Sequence, residues 1–176
     1  MSEQAATPPE IRQPYGNASG GMPSGLWEPP RSVPHVRSIG ISILLYFVTF
    51  GIYGFFWLYF IHSENPRRKD IDPTPGKAVG FLFIPFFNIY WFFKVFLSLT
   101  DRLNTLAVEG TGDSGPPINR GLCIAMLVLH LCGITIPVAG IFAGFAALIC
   151  GIIWWVSVQQ TANRLTEASL PHPGAS

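Results

Sequence analysis

AVGFLFIPFFNIYWFFKVFLSL, residues 78–99, is the stretch on which the reading of this chain turns. It is long enough to cross a bilayer as a helix, and nine of its residues are aromatic. Pro85 has no N–H to give a helical ladder, and the amide of Asn88 finds no water in hydrocarbon. Residues 85–88 therefore predict a break in a membrane helix. Such breaks persist only against protein or a wet cavity, and the same break is also suited to accommodating lipid.

Working outward, the composition agrees with a membrane protein. Of 176 residues, 49% are hydrophobic and 12% charged, against roughly 25% charged in a soluble domain. Mean hydropathy is +0.37. A net charge of +1, with eleven basic residues scattered among ten acidic ones, gives no electrostatic footprint for nucleic acid. Cys123, Cys132 and Cys150 lie in apolar runs without metal-ligand spacing and read as small packing residues.

The predicted fold is all-α and polytopic: four transmembrane helices at 39–61, 78–99, 118–136 and 138–158, within a membrane domain 37–168. Residues 1–36, with seven prolines and no apolar periodicity, predict a disordered tail, in which Trp27 is a candidate interfacial anchor. Residues 169–176 predict a flexible C-terminal tail. The first span carries Gly51 and Gly54 at its centre, a second candidate break. The loop 62–77, rich in Arg, Lys and Pro, must sit in water. Lys94 is near enough to the end of its span to snorkel, and Leu99, Leu103 and Leu106 continue the helical period beyond it.

The charge-free run 121–158 is too long for one span and suits two, with Pro117 at the start of the third helix and a turn offered by Gly133, Pro137 and Gly140. In the fourth span Gly140, Gly144, Ala147 and Gly151 form a one-sided small-residue stripe, a candidate helix-packing face. Trp154 and Trp155 suit an interface, and a polar helical extension follows them. Gly110, Gly112 and Gly115 match a nucleotide-binding spacing, but they follow a helix and run into Pro116, so the motif is rejected.

Two hexapeptides repeat. Gly51-Ile52-Tyr53-Gly54-Phe55-Phe56 and Asn88-Ile89-Tyr90-Trp91-Phe92-Phe93 agree at four of six positions. At these residues the chain resembles small multipass bacterial membrane proteins classed as a domain of unknown function. Thr49-Phe50-Gly51-Ile52-Tyr53-Gly54 with Trp57 is similar to their T-x-G-I-Y-G-x-x-W signature. Phe83-Ile84-Pro85-Phe86-Phe87-Asn88 with Tyr90 and Trp91 is similar to F-I-P-F-F-N-x-Y-W. The resemblance covers roughly 37–165 and implies a multi-pass location in the bacterial inner membrane, but no activity, substrate or catalytic residue.

Four spans put both termini on one side, taken as cytoplasmic, and the loop 62–77 on the other. No nucleophile with a base, paired acids or metal-binding histidine pair stands in a span, so neither an enzyme nor a cofactor is expected. His130, the one histidine inside a span, is expected to be buried and hydrogen-bonded to a neighbouring helix. The functional expectation is a non-catalytic scaffold or accessory subunit in the lipid bilayer, meeting a protein partner or a second copy through its helices. The alternative is a small transporter or channel whose pathway runs along Gly51, Gly54, Pro85 and Asn88.

Overall fold

The computed structural model of the chain describes residues 26–110, 115–135 and 137–169. It is built of helices: α1 (Ile39–Val48), α2 (Ile52–Glu64), α3 (Pro75–Gly80), α4 (Phe87–Thr105), α5 (Arg120–Thr135) and α6 (Pro137–Ser169). One 3-10 turn, Phe81–Phe83, extends α3, and one π turn, Leu106–Gly110, follows α4. The helix starts are read directly from residue type. Ser38 caps α1 through its side-chain oxygen, and Thr74 caps α3 with Pro75 at the first position. Asn119 caps α5, its Oδ1 accepting the Leu122 N–H at 3.1 Å, so that helix begins after Asn119 and not at Pro117.

The first expected span is not one helix. Thr49, Phe50 and Gly51 interrupt it, with φ of 50° at Phe50 and 86° at Gly51. Two consecutive left-handed residues turn the chain round, and glycine takes the second of those positions without the clash a Cβ brings. Thr49 ties the two halves together: its hydroxyl donates to the Leu45 carbonyl at 2.7 Å and accepts the Tyr53 N–H at 2.9 Å. At Gly54 a Cβ would lie 3.2 Å from the Tyr46 ring, so the ring of α1 packs on the bare backbone of α2. The halves run antiparallel, because the Arg37 guanidinium meets the Glu64 carboxylate at 2.6 and 2.5 Å. A straight helix would hold those residues about 40 Å apart.

The second expected span reverses in the same way. Ile84 is extended, as a residue before proline must be, and Phe86 is left-handed at φ 62°. The reversal brings the Trp91 indole N–H of α4 back to the carbonyls of Lys77 and Ala78, at 3.0 and 3.3 Å. The expected break at residues 85–88 is present, at 84–86, as a hairpin and not a kink. The α5–α6 pair forms a third hairpin, its backbones touching where a Cβ on Gly140 would sit 2.5 Å from the Gly133 carbonyl oxygen.

All three hairpins point the same way. Phe55 near the first tip packs against Phe83 near the second, with ring centroids 5.2 Å apart. At the opposite end, Asn104 of α4 exchanges two hydrogen bonds with the backbone of Ile118, and Arg120 pairs with Asp101 at 3.1 Å. Asn163 of α6 clasps the backbone of Arg37, accepting its N–H and donating to its carbonyl. The loop after α2 thus lies at the same end as the start of α1 and the end of α6. The four-span scheme sets 62–77 on the side opposite both termini, whereas these contacts bring that loop to the same end of the molecule as the start of α1 and the end of α6.

The expected tail also ends earlier than residue 36. Trp27–Glu28 pairs antiparallel with Arg67–Arg68, Glu28 and Arg67 form an ion pair, and the N–H groups of Arg31 and Ser32 both reach the Ser63 carbonyl. Residues 1–25 and 170–176, with the remainder of both expected tails, lie outside the described residues.

Burial follows from this arrangement. At the polar end Leu99, Leu103 and Leu106 are fully buried at the helical spacing expected of them, with Trp154, Val158 and Leu165 of α6 against them. Toward the tips the surface is apolar: Leu44, Val48, Ile141, Phe142 and Phe145 are exposed, and Phe50 and Phe86 are 97% and 91% exposed. α6 is long and apolar enough to cross a membrane; α1 and α5 are apolar but shorter.

Candidate functional site: an apolar cavity under the first hairpin

The first hairpin is shorter than the third. Trp57 of α2 packs on Trp155 of α6 at 4.5 Å and donates its indole N–H to Gln159 at 2.7 Å, which places the tip at Gly51 near the level of Gly151. From there α6 runs another fourteen residues back to Pro137, about 21 Å. The space beneath the tip is a cavity of about 530 Å³ bounded by α1, α2, α4, α5 and α6.

Six residues singled out in the sequence meet in its wall: Gly51, Gly54, His130, Gly144, Ala147 and Gly151. Aromatic rings supply most of the remainder, among them Tyr46, Trp57, Phe92, Trp154 and Trp155. Asn88 lies in an adjoining pocket of about 240 Å³ that shares Phe55, Leu82, Phe92 and His130 with the first. Pro85 and Gly140 line neither. His130 is exposed between the two pockets, its ring 5.7 Å from that of Phe92, and is not the buried histidine the sequence implies. The small-residue stripe finds a helix within its own chain. Gly140 meets Gly133 of α5, and a Cβ on Gly151 would lie 3.3 Å from the Met126 sulfur. Of the three glycines in the stripe, Gly144 alone has open space where a Cβ would go, nothing lying within 4 Å.

At the polar end the cavity wall is formed by Trp57 and Trp154, and a run of polar side chains extends from Trp57 beyond it. Trp57 donates to Gln159 Oε1, the Gln159 amide donates to Asn163 Oδ1 at 2.8 Å, Asn163 holds the Arg37 backbone, and Arg37 forks onto Glu64. Trp154 donates to the Thr100 hydroxyl at 2.9 Å beside this chain. Gln159, Asn163, Arg37 and Glu64 were not singled out in the sequence. The available signal was the spacing of Gln159 and Asn163, four residues apart on one helix face in a segment that otherwise read as a solvated extension.

His62 sits in the same polar layer, at the end of α2. It is buried, and its Nδ1 lies 2.9 Å from the Leu58 carbonyl, which only accepts, so Nδ1 carries the proton. Nε2 is buried without a hydrogen-bond partner among the described residues. Burial first, and the Arg102 guanidinium second, hold the imidazole well below its ordinary pKa of 6.5. Below that value the unfolded chain takes up a proton that the folded one refuses. Stability is therefore complete above about pH 6.5 and declines as pH falls toward the depressed folded pKa. Thermal unfolding in detergent, followed down from neutral pH, is expected to show this decline. His62→Gln is expected to flatten it, and an unchanged slope in that variant would refute the assignment.

Residues 37–101 match the model of a family described as a domain of unknown function (DUF4234). The matched segment takes in the first two hairpins and the polar loop between them and stops within α4, so α5 and α6 lie outside it. Both quoted signatures fall inside it. No curated protein and no solved structure matches the chain.

Proposed function

We propose that this chain is a non-catalytic membrane scaffold or accessory subunit, inserted from one side of the bilayer and presenting its packed polar layer on that side. The observation that carries this reading is the division of the surface. Four arginine ion pairs, Arg37 with Glu64, Arg67 with Glu28, Arg68 with Asp72 and Arg120 with Asp101, stand at the open end of the hairpins, and the tips carry exposed phenylalanines. Exposed Phe50 and Phe86 are at home in hydrocarbon and misplaced in water. With ten residues, α1 reaches about 15 Å into a hydrocarbon layer about 30 Å thick, so the first hairpin enters and leaves through one leaflet. α5 and α6 form the pair whose length lets it approach the far interface.

The transporter alternative needs polar groups along a route between the two sides. The cavity is instead walled mostly by aromatic and aliphatic groups, with Trp57 at its polar end held by Gln159, which favours the scaffold. Purified protein reconstituted into sealed vesicles is expected to leave ion gradients and trapped small solutes intact, and Asn88→Leu is expected to be without effect in cells. Dissipation of a gradient that Asn88→Leu abolishes would replace the scaffold by the transporter.

A further inference from the structure

We propose that the cavity beneath the first hairpin holds one acyl chain of a bilayer lipid, entering sideways between α1 and α6. The proposal rests on the membrane reading above and goes beyond it by naming a ligand class and a site. A volume of about 530 Å³ falls in the range of ligand sites, and the lining, apolar with few polar groups, is of the usual kind.

Three observations select the occupant. The exposed wall residues Phe47, Phe55 and Leu148 are apolar and continue into the exposed apolar surface of Leu44 and Phe145, so whatever enters comes from hydrocarbon. The polar end is closed by the Trp57 to Gln159 bond, so a headgroup has no place inside and stays outside the wall. A transmembrane helix about 10 Å across fills roughly 120 Å³ per residue, so the cavity holds little more than one turn of it, too little to seat a partner helix. A slender hydrocarbon tail meets all three conditions.

The test uses the tryptophans already in the wall. The full chain is reconstituted into vesicles of phosphatidylcholine, or of phosphatidylcholine brominated at mid-chain, and tryptophan emission is compared. Trp57, Trp154 and Trp155 are expected to be quenched by more than half in the wild type. Gly144→Leu, whose added side chain has room to fill the cavity, should lose most of that quenching, while Ile141→Phe, on the exposed face away from the cavity, should keep it. Flotation with the vesicles is scored in parallel. Flotation with equal quenching in wild type and Gly144→Leu overturns the lipid site and leaves the membrane reading standing; failure to float overturns both. A wild-type dimer in detergent that Gly144→Leu dissociates would overturn the lipid site in favour of a second copy of the chain.

Discussion

Cysteines at Lys69 and Glu167, introduced singly into a background lacking Cys123, Cys132 and Cys150, are expected to react with a membrane-impermeant maleimide from the same side of intact vesicles. Both positions are exposed. Lys69 follows α2 and Glu167 lies near the end of α6, and the two segments are joined by the contacts of Arg37 with Glu64 and of Asn163 with Arg37. Cysteines at Phe50 and Phe86 are expected to stay unlabelled from either side, since both tips end in hydrocarbon. A four-span arrangement gives the opposite pattern, with Lys69 accessible only where Glu167 is not. The expected contrast is near-complete labelling against none, and labelling of Lys69 and Glu167 from opposite sides would refute one-sided insertion.

Removal of either member of the Arg37 and Glu64 pair is expected to have the largest effect on stability of any single side-chain truncation in the polar layer. The Glu64 side chain is 7% exposed and that of Arg37 19%, and the two exchange a fork of hydrogen bonds. Glu64→Ala leaves a guanidinium in a largely desolvated position, and Arg37→Ala leaves a carboxylate there. Breaking a buried pair from one side costs about 3–5 kcal/mol, much of it the penalty of the orphaned charge. The double variant is expected to be less destabilised than the sum of the singles, because neither charge then lacks its partner. Glu64→Gln, which keeps an acceptor for one guanidinium N–H, should lose less than Glu64→Ala. Thermal unfolding in detergent checks all four variants, and single variants as stable as the wild type would remove the pair from any role in joining α1 to α2.

The pair also explains why the first hairpin tolerates its tip. Phe50 and Phe86 take left-handed backbone angles, which cost a non-glycine residue about 1–2 kcal/mol. Each hairpin has contacts at its open end to offset that cost: the Arg37 and Glu64 fork for the first, the Trp91 bonds to Lys77 and Ala78 for the second. The repeated hexapeptides sit at equivalent places, each just after a reversal, with a tyrosine and paired aromatics on the returning helix. The likeness read in the sequence thus corresponds to one local device used twice.

A good part of the candidate site was legible beforehand. Gly51, Gly54, Gly144, Ala147, Gly151 and His130 were marked by residue type and spacing, and the cavity gathers all six. Their assigned roles were not legible. The stripe at Gly140, Gly144, Ala147 and Gly151 fits any close neighbour, and the sequence cannot tell whether that neighbour is α5 or another molecule. Gln159 and Asn163 passed as a solvated face because hydrogen bonds to Trp57 and Arg37, more than a hundred residues away, leave no trace in local periodicity.

The sequence alone determined that the chain is helical, that its helices are apolar, and that they are interrupted at Gly51 and at Pro85, since capping residues, glycine and proline act on their own few neighbours. Only the tertiary structure decided that each interruption sends the chain back. An apolar run of 23 residues has the same composition whether it crosses a bilayer once or folds into two half-length helices. The choice lies in contacts such as Arg37 with Glu64, which join residues that a straight helix would hold far apart.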